Sequence, residues 1–136
     1  MPSEFMTASR GRVVVGRLAA GTDLIEEIER ECNARRISSG RVTVIGAVRH
    51  TRYGFYDHPN GEWLELESTT HREIVGFIGT LHTDNGRLVL HAHASFGDSS
   101  GATAGGHLLP GIEVVVAEVI IEELNGIVWG TQLGGH

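Results

Sequence analysis

The dipeptide Asn85-Gly86 constrains what this chain can fold into more tightly than any other feature. It joins two runs rich in β-branched and aromatic residues, "REIVGFIGTLHT" and "GRLVLHAHAS". Asn-Gly between such runs favours a two-residue type I′ turn, whose central residues both need positive φ. The turn sets a register: Asp84 faces Arg87, His82 faces Val89, Thr80 faces His91 and Ile78 faces His93. Side chains alternate along a strand. Val89, His91, His93 and Ser95 therefore share one face, with His82, Thr80 and Ile78 across from them. Leu88, Leu90, Ala92 and Ala94 take the opposite, apolar face.

Most of the chain after residue 40 has the same character. "RVTVIGAVRHTRYGFYD", "EWLELES", "IEVVVAEVIIEEL" and "GIVWGT" read as further strands, separated by turn chemistry such as "DHPNGE" and "TDNGR". Upstream, "RVVVGRL" reads as a first strand. The period then changes. Leu24, Ile25, Ile28 and Cys32 recur at helical spacing, with Glu26, Glu27, Glu29, Arg30 and Glu31 on the other face. Thr22 or Asp23 can cap this helix, with Arg35 and Arg36 in its last turn. Cys32 lies on the apolar stripe and reads as a buried core thiol. The expected fold class is α+β: a mainly antiparallel sheet with one principal helix after the first strand. Nothing divides the 136 residues, which read as a single domain with its core at about 11–131.

The run "IEVVVAEVIIEEL" is apolar on both faces. Ile112, Val114, Val116 and Ile120 would share one face with Glu118 among them, and Val115, Ala117, Val119 and Ile121 the other. A two-faced strand needs cover on both sides. One helix covers part of one sheet face, and a second copy of the chain is the economical cover for the rest.

Charge excludes several functions. All eleven basic residues are arginine, against 17 acids, for a net charge of −6. With no lysine, Schiff-base chemistry and a Walker-type phosphate loop are ruled out. The acidic balance opposes general nucleic-acid binding. "RGR" at Arg10–Arg12 resembles half of a minor-groove hook, but it runs into "VVVG" and reads as a strand lead-in. No apolar run is long enough for a membrane span. The N-terminal residues do not read as a signal peptide, and the lone cysteine fits a reducing cytoplasm.

The chemistry concentrates in "LHTDNGRLVLHAHASFGDSSGATAGGHLL". His91 and His93 point the same way by alternation. Gly105-Gly106 lets the backbone turn sharply and approach closely, and a thirteen-residue excursion is long enough to return His107 to their face. Three neutral imidazoles with an open fourth position suit a divalent cation, zinc foremost, with nickel or cobalt as neighbours in chemistry. A water in the open position would be acidified to a pKa near about 7. The alternative is that these histidines only pack or line a polar cleft. His82 is a diagonal neighbour of His91, closer to outer-sphere than to ligating reach. Glu118 is either a partly buried partner of an arginine, or a support or proton-transfer group for a ligand histidine. "FGDSSG" could cradle an anion through backbone amides.

"HAHASFGDSSGATAGGHLLPG" followed by "VVVAEVIIEEL" resembles the plants-and-prokaryotes conserved (PPC) domain family, bacterial and archaeal type. "GTDLIEEIERECNARRISSG" and "VIGAVRHTRYGFYD" extend the resemblance from about Val13 to Leu124. It implies an antiparallel α+β fold, a homotrimer, and in some members a metal held by residues matching His91, His93 and His107. Plant members bind AT-rich DNA through a separate hook segment, from which "RGRV" departs. Three functions follow as expectations. The first is a trimeric metal-binding module for a small ligand or partner near the histidines. The second is a zinc-dependent hydrolase or lyase in which Glu118 or Tyr56 handles protons. The third is a DNA-associated protein, with DNA binding unlikely from this chain alone.

Overall fold

The structure, a computed structural model, describes residues 2–127. Its elements in chain order are β1 (Ser9–Leu18), α1 (Leu24–Ala34), β2 (Gly40–Val48), β3 (Thr51–Asp57), β4 (Glu62–Ser68), β5 (Arg72–Asp84), β6 (Arg87–Gly97), β7 (Thr103–Leu108) and β8 (Val114–Asn125). The eight strands form one sheet in the order β1-β8-β2-β5-β6-β7-β3-β4. Every pairing in it is antiparallel. This is the expected α+β architecture. The strand expected at "GIVWGT" lies, from Val128 onward, outside the described residues.

The hairpin has the expected register, with Asp84 opposite Arg87, Thr80 opposite His91 and Ile78 opposite His93. Asn85 and Gly86 sit at φ 51° and 77°, as a type I′ turn requires. The apolar face of β6 is buried through Leu88, Leu90, Ala92, Ala94 and Phe96. Helix α1 packs on that side, and Leu24, Ile25, Ile28 and Cys32 join the same core cluster. Burying each leucine or isoleucine contributes roughly 1.5–3 kcal/mol. Cys32 is fully buried, as its place on the stripe implied.

Asp23, one of the two candidate caps, begins the helix. Its Oδ1 accepts from the backbone N–H of Ile25 (3.1 Å) and Glu26 (2.9 Å). Its Oδ2 accepts from Gly111 (2.5 Å) and Ile112 (3.0 Å). One carboxylate thus caps the helix and fixes the approach to β8. The helix ends at Ala34; Arg35 is its C-cap and Arg36 sits at φ 56°, so the two arginines stand at its exit rather than in its last turn.

Three further expectations are corrected. "RVTVIGAVRHTRYGFYD" is not one strand: it breaks at Arg49-His50 into β2 and β3, which lie apart in the sheet with β5, β6 and β7 between them. The two faces of the β8 run are not constant either. A register shift puts Val48 opposite Val114 and Ala47 opposite Val116, so Val115 is an extra residue. Ile112 and Val114 are buried, whereas Val116 and Ile120 beyond the bulge are 50% and 45% exposed. Finally, "TAGGHL" is a strand, β7, and not a turn.

The face of the sheet away from the helix is left open. Val13, Val15, Ile45, Ile78, Val116 and Ile120 are exposed there, Val15 to 72%. Phe55, Leu64 and Leu66 are exposed on the β3–β4 hairpin.

Candidate metal centre

Two adjacent strands build the centre. His91 and His93 stand on β6, and β7 returns antiparallel to it with His107 directly opposite His93. The glycines before His107 serve the close approach of backbones. A Cβ at Gly105 would stand 1.8 Å from the Ala94 carbonyl oxygen, and one at Gly106 would stand 2.6 Å from that of Gly54. The three imidazoles converge: ring centroids are 5.2 Å apart for His91–His93, 4.8 Å for His91–His107 and 5.2 Å for His93–His107. One ligating atom from each lies within 4.8 Å of the others. Tetrahedral coordination at 2.0–2.1 Å needs donor nitrogens about 3.3 Å apart. The remaining contraction, at most about 1.5 Å, is within reach of ring rotation about Cβ–Cγ. The donor set fits a borderline divalent cation.

The loop between β6 and β7 closes on itself. Asp98 Oδ1 accepts from the Ser100 amide (2.9 Å), the Ser100 hydroxyl (2.6 Å) and the Ala102 amide (3.1 Å). These bonds, those from Ser100 first, hold its carboxyl below the ordinary range. The amides of Ser100 and Ala102, which could have cradled an anion, are therefore occupied by Asp98, which acts as the hairpin's closure.

β3 and β4 form the outer wall. Gly54 pairs with His107, and Trp63 pairs with Tyr56. The Trp63 indole lies over Gly54, where a Cβ would meet ring carbon Cζ2 at 2.0 Å. Its Nε1–H donates to Glu65 Oε1 (3.3 Å), and Glu65 Oε2 accepts from Arg52 (2.9 Å). So held, the indole stands edge-on to His107, with centroids 5.5 Å apart at 86°. Between this wall and the histidines lies a cavity of about 420 Å3, lined by residues including Tyr56, His58, Pro59, Trp63, His93 and His107. Trp63 and His58 were not among the sequence candidates. The usable signal was "DHPNGE", whose tight turn puts both beside Tyr56.

On the other side, Glu29 of α1 accepts the Leu90 N–H at 2.9 Å, next to His91. β7 ends before reaching that level of β6, and the helix supplies the missing acceptor. Burial pushes the Glu29 carboxyl up, against the opposing pull of the Leu90 N–H.

The remaining candidates divide. Tyr56 lines the cavity. Glu118 does not join the histidines within this chain: it stands on β8, half-exposed, with Arg17 at 3.9 Å. β2 and β5 intervene between β8 and β6, a separation of roughly 14 Å at the usual strand spacing. His82 is buried and outside the cluster. In the "RGR" segment, Arg12 grips Glu123 with two bonds of 2.9 Å.

Fold and site together define an antiparallel α+β domain with a histidine triad on its open face. The chain matches the Plants and Prokaryotes Conserved (PCC) domain over residues 6–125 and belongs to that family. A plant- and prokaryote-conserved protein of Pyrococcus horikoshii superposes with a TM-score of 0.86 at 28% identity, covering 92% of this chain and 87% of that one. A metal-containing protein from Archaeoglobus fulgidus superposes with a TM-score of 0.86 at 29% identity, covering 91% and 87%. A Bacteroides thetaiotaomicron protein with a suggested DNA-binding role shares the fold, with a TM-score of 0.80 at 21% identity over 93% of each chain. The bifunctional protein GlmU of a Synechococcus strain is 30% identical over 109 residues, which are 79% of this chain but 16% of that protein. No helix among the described residues is long and apolar enough to cross a membrane.

Proposed function

We infer that the chain is a metal-binding module of the PCC family, in which His91, His93 and His107 hold one divalent cation, zinc foremost, beside a small-ligand cavity. The observation that carries this reading is the convergence of three ligating atoms within 4.8 Å on a rigid pair of strands. The metal content of the Archaeoglobus fulgidus relative supports it. When bound, the cation would acidify water or polarise an oxygen donor at its open position. Tyr56 in the same cavity favours, as a second reading, a metal-dependent hydrolase or lyase.

The proposed assembly is a homotrimer. Two separate apolar patches, one on the open sheet face and one on the β3–β4 hairpin, suit a head-to-tail contact that closes into a ring. The proposed compartment is the cytoplasm, where a lone thiol stays reduced. DNA binding is not favoured, because Arg12, Arg17, Arg30, Arg35, Arg41, Arg49 and Arg52 all pair with glutamates.

The test is elemental analysis of protein purified without added metal, beside His93→Ala and His107→Ala variants checked to be folded. About one equivalent in the wild type and a loss in both variants is expected. Full retention in both would return the histidines to the role of polar cleft residues.

A further inference from the structure

The cavity beside the triad has a composition that bears on what it accepts. Among the described residues its lining carries no carboxylate and no guanidinium. Its walls carry two flat rings on neighbouring strands: the Trp63 indole and, paired across the β3–β4 hairpin with it, the Tyr56 ring, with His58 edge-on to Tyr56 at 4.5 Å between centroids. Both walls are held in place. Trp63 fills the space left by Gly54 and is tethered through Glu65 to Arg52. The turn carrying His58 and Pro59 is tied by Asp57, which accepts from the Asn60 side chain at 2.7 Å. A ligand body entering here meets ring faces and edges, and no carboxylate or guanidinium among the described residues. Three neutral imidazoles leave the +2 charge of that cation uncompensated, so an anionic donor is favoured at its open position.

We propose that the site takes small molecules that combine one anionic oxygen donor with a flat, uncharged, apolar body. The donor completes the metal's coordination and the body lies against the Trp63 and Tyr56 rings. Polyanions such as nucleoside phosphates are a poor match, because the described lining residues include no arginine to pair with a second anionic group. This rests on the metal reading above and adds the ligand class to it.

The probes are benzohydroxamate and acetohydroxamate, which share a chelating head and differ in the body behind it. Each is titrated into the protein loaded with cobalt(II), and visible absorption reports binding at the metal. Benzohydroxamate is expected to bind at least about tenfold tighter, from the extra apolar surface that a ring buries. That preference should vanish in Trp63→Ala and, should that variant not fold, in Tyr56→Ala, with cobalt uptake unchanged. Equal affinity of the two probes for the wild type, or a preference that survives loss of the wall, overturns this inference alone. A folded protein that takes up no cobalt overturns the metal reading, and the inference with it.

Discussion

Substituting Gly105 by alanine tests how the centre is built. The new methyl group would stand 1.8 Å from the Ala94 carbonyl oxygen and 2.8 Å from Ser95 Cα. Carbon and oxygen in ordinary contact stay at least about 3.2 Å apart, so β7 must retreat from β6 by more than an ångström. The obstacle is backbone and cannot rotate aside. Overpacking of this kind costs about 3 kcal/mol, which for a chain of this length lowers the melting temperature by roughly 10 °C. The retreat falls two residues before His107 and separates it from His93, directly opposite. Zinc affinity, measured by competition with a chromophoric chelator, should fall at least about a hundredfold, beyond the usual effect of disturbing a ligand's support. Gly16→Ala is the matched control, because a Cβ there meets nothing within 4 Å. It should leave both quantities near wild type. A Gly105→Ala protein with wild-type melting and wild-type zinc affinity would refute the account of β7 as a strand pressed against β6.

Three further outcomes are expected. Arg12 holds the Glu123 carboxyl at about 2, down from 4.5; the unfolded chain binds this proton first as pH falls, so the pair's stabilisation is complete above about 4.5 and is lost toward 2. Acid denaturation of Glu123→Gln should lack that component, and superimposable acid profiles would disprove the assignment. The Cys32 thiol is pushed up to about 11 by burial, so a disulfide reagent at pH 8 should titrate no thiol in the native protein and one per chain in denaturant; rapid native labelling would contradict its buried place. Ile120→Glu puts a charge on the open apolar face; light scattering should report three chains for the wild type if the proposed trimer forms and a single chain for the variant, and an unchanged mass would show that this face is not part of the assembly.

The sequence was most informative where local chemistry dictates geometry. Asn85-Gly86 determined the β5–β6 register residue by residue, and alternation then put His91 and His93 on one face. The cap was narrowed to Thr22 or Asp23 because a short acceptor before an apolar helical stripe has few other uses. What stayed hidden depends on partners distant in sequence. The break at Arg49-His50 falls in a run of uniform strand propensity, and only the sheet's order shows that the chain crosses to its far side there. The bulge at Val115 is equally silent, since a run of valines has no alternation to lose its phase. Glu118 drew attention as an acid among apolar residues, but nothing local says which strands separate it from β6.

The glycines explain why the histidines were legible while the shape of their site was not. "TAGGHL" has a single β-branched residue, Thr103, and no Phe, Tyr or Trp to mark a strand, and Gly105-Gly106 argued for a turn. Each of these glycines instead surrenders a side chain so that another group can occupy its place. At Gly105 that group is the backbone of β6, at Gly106 the carbonyl of Gly54, and at Gly54 the ring of Trp63. β6, β7, β3 and the indole from β4 are thereby drawn together around His107, more closely than strands bearing side chains at these positions would allow. Glycine's low strand propensity is a statement about isolated backbone. Here the sheet's own neighbours supply the packing that the missing side chains would have provided, and the loss of propensity becomes the means of bringing the third imidazole to the other two.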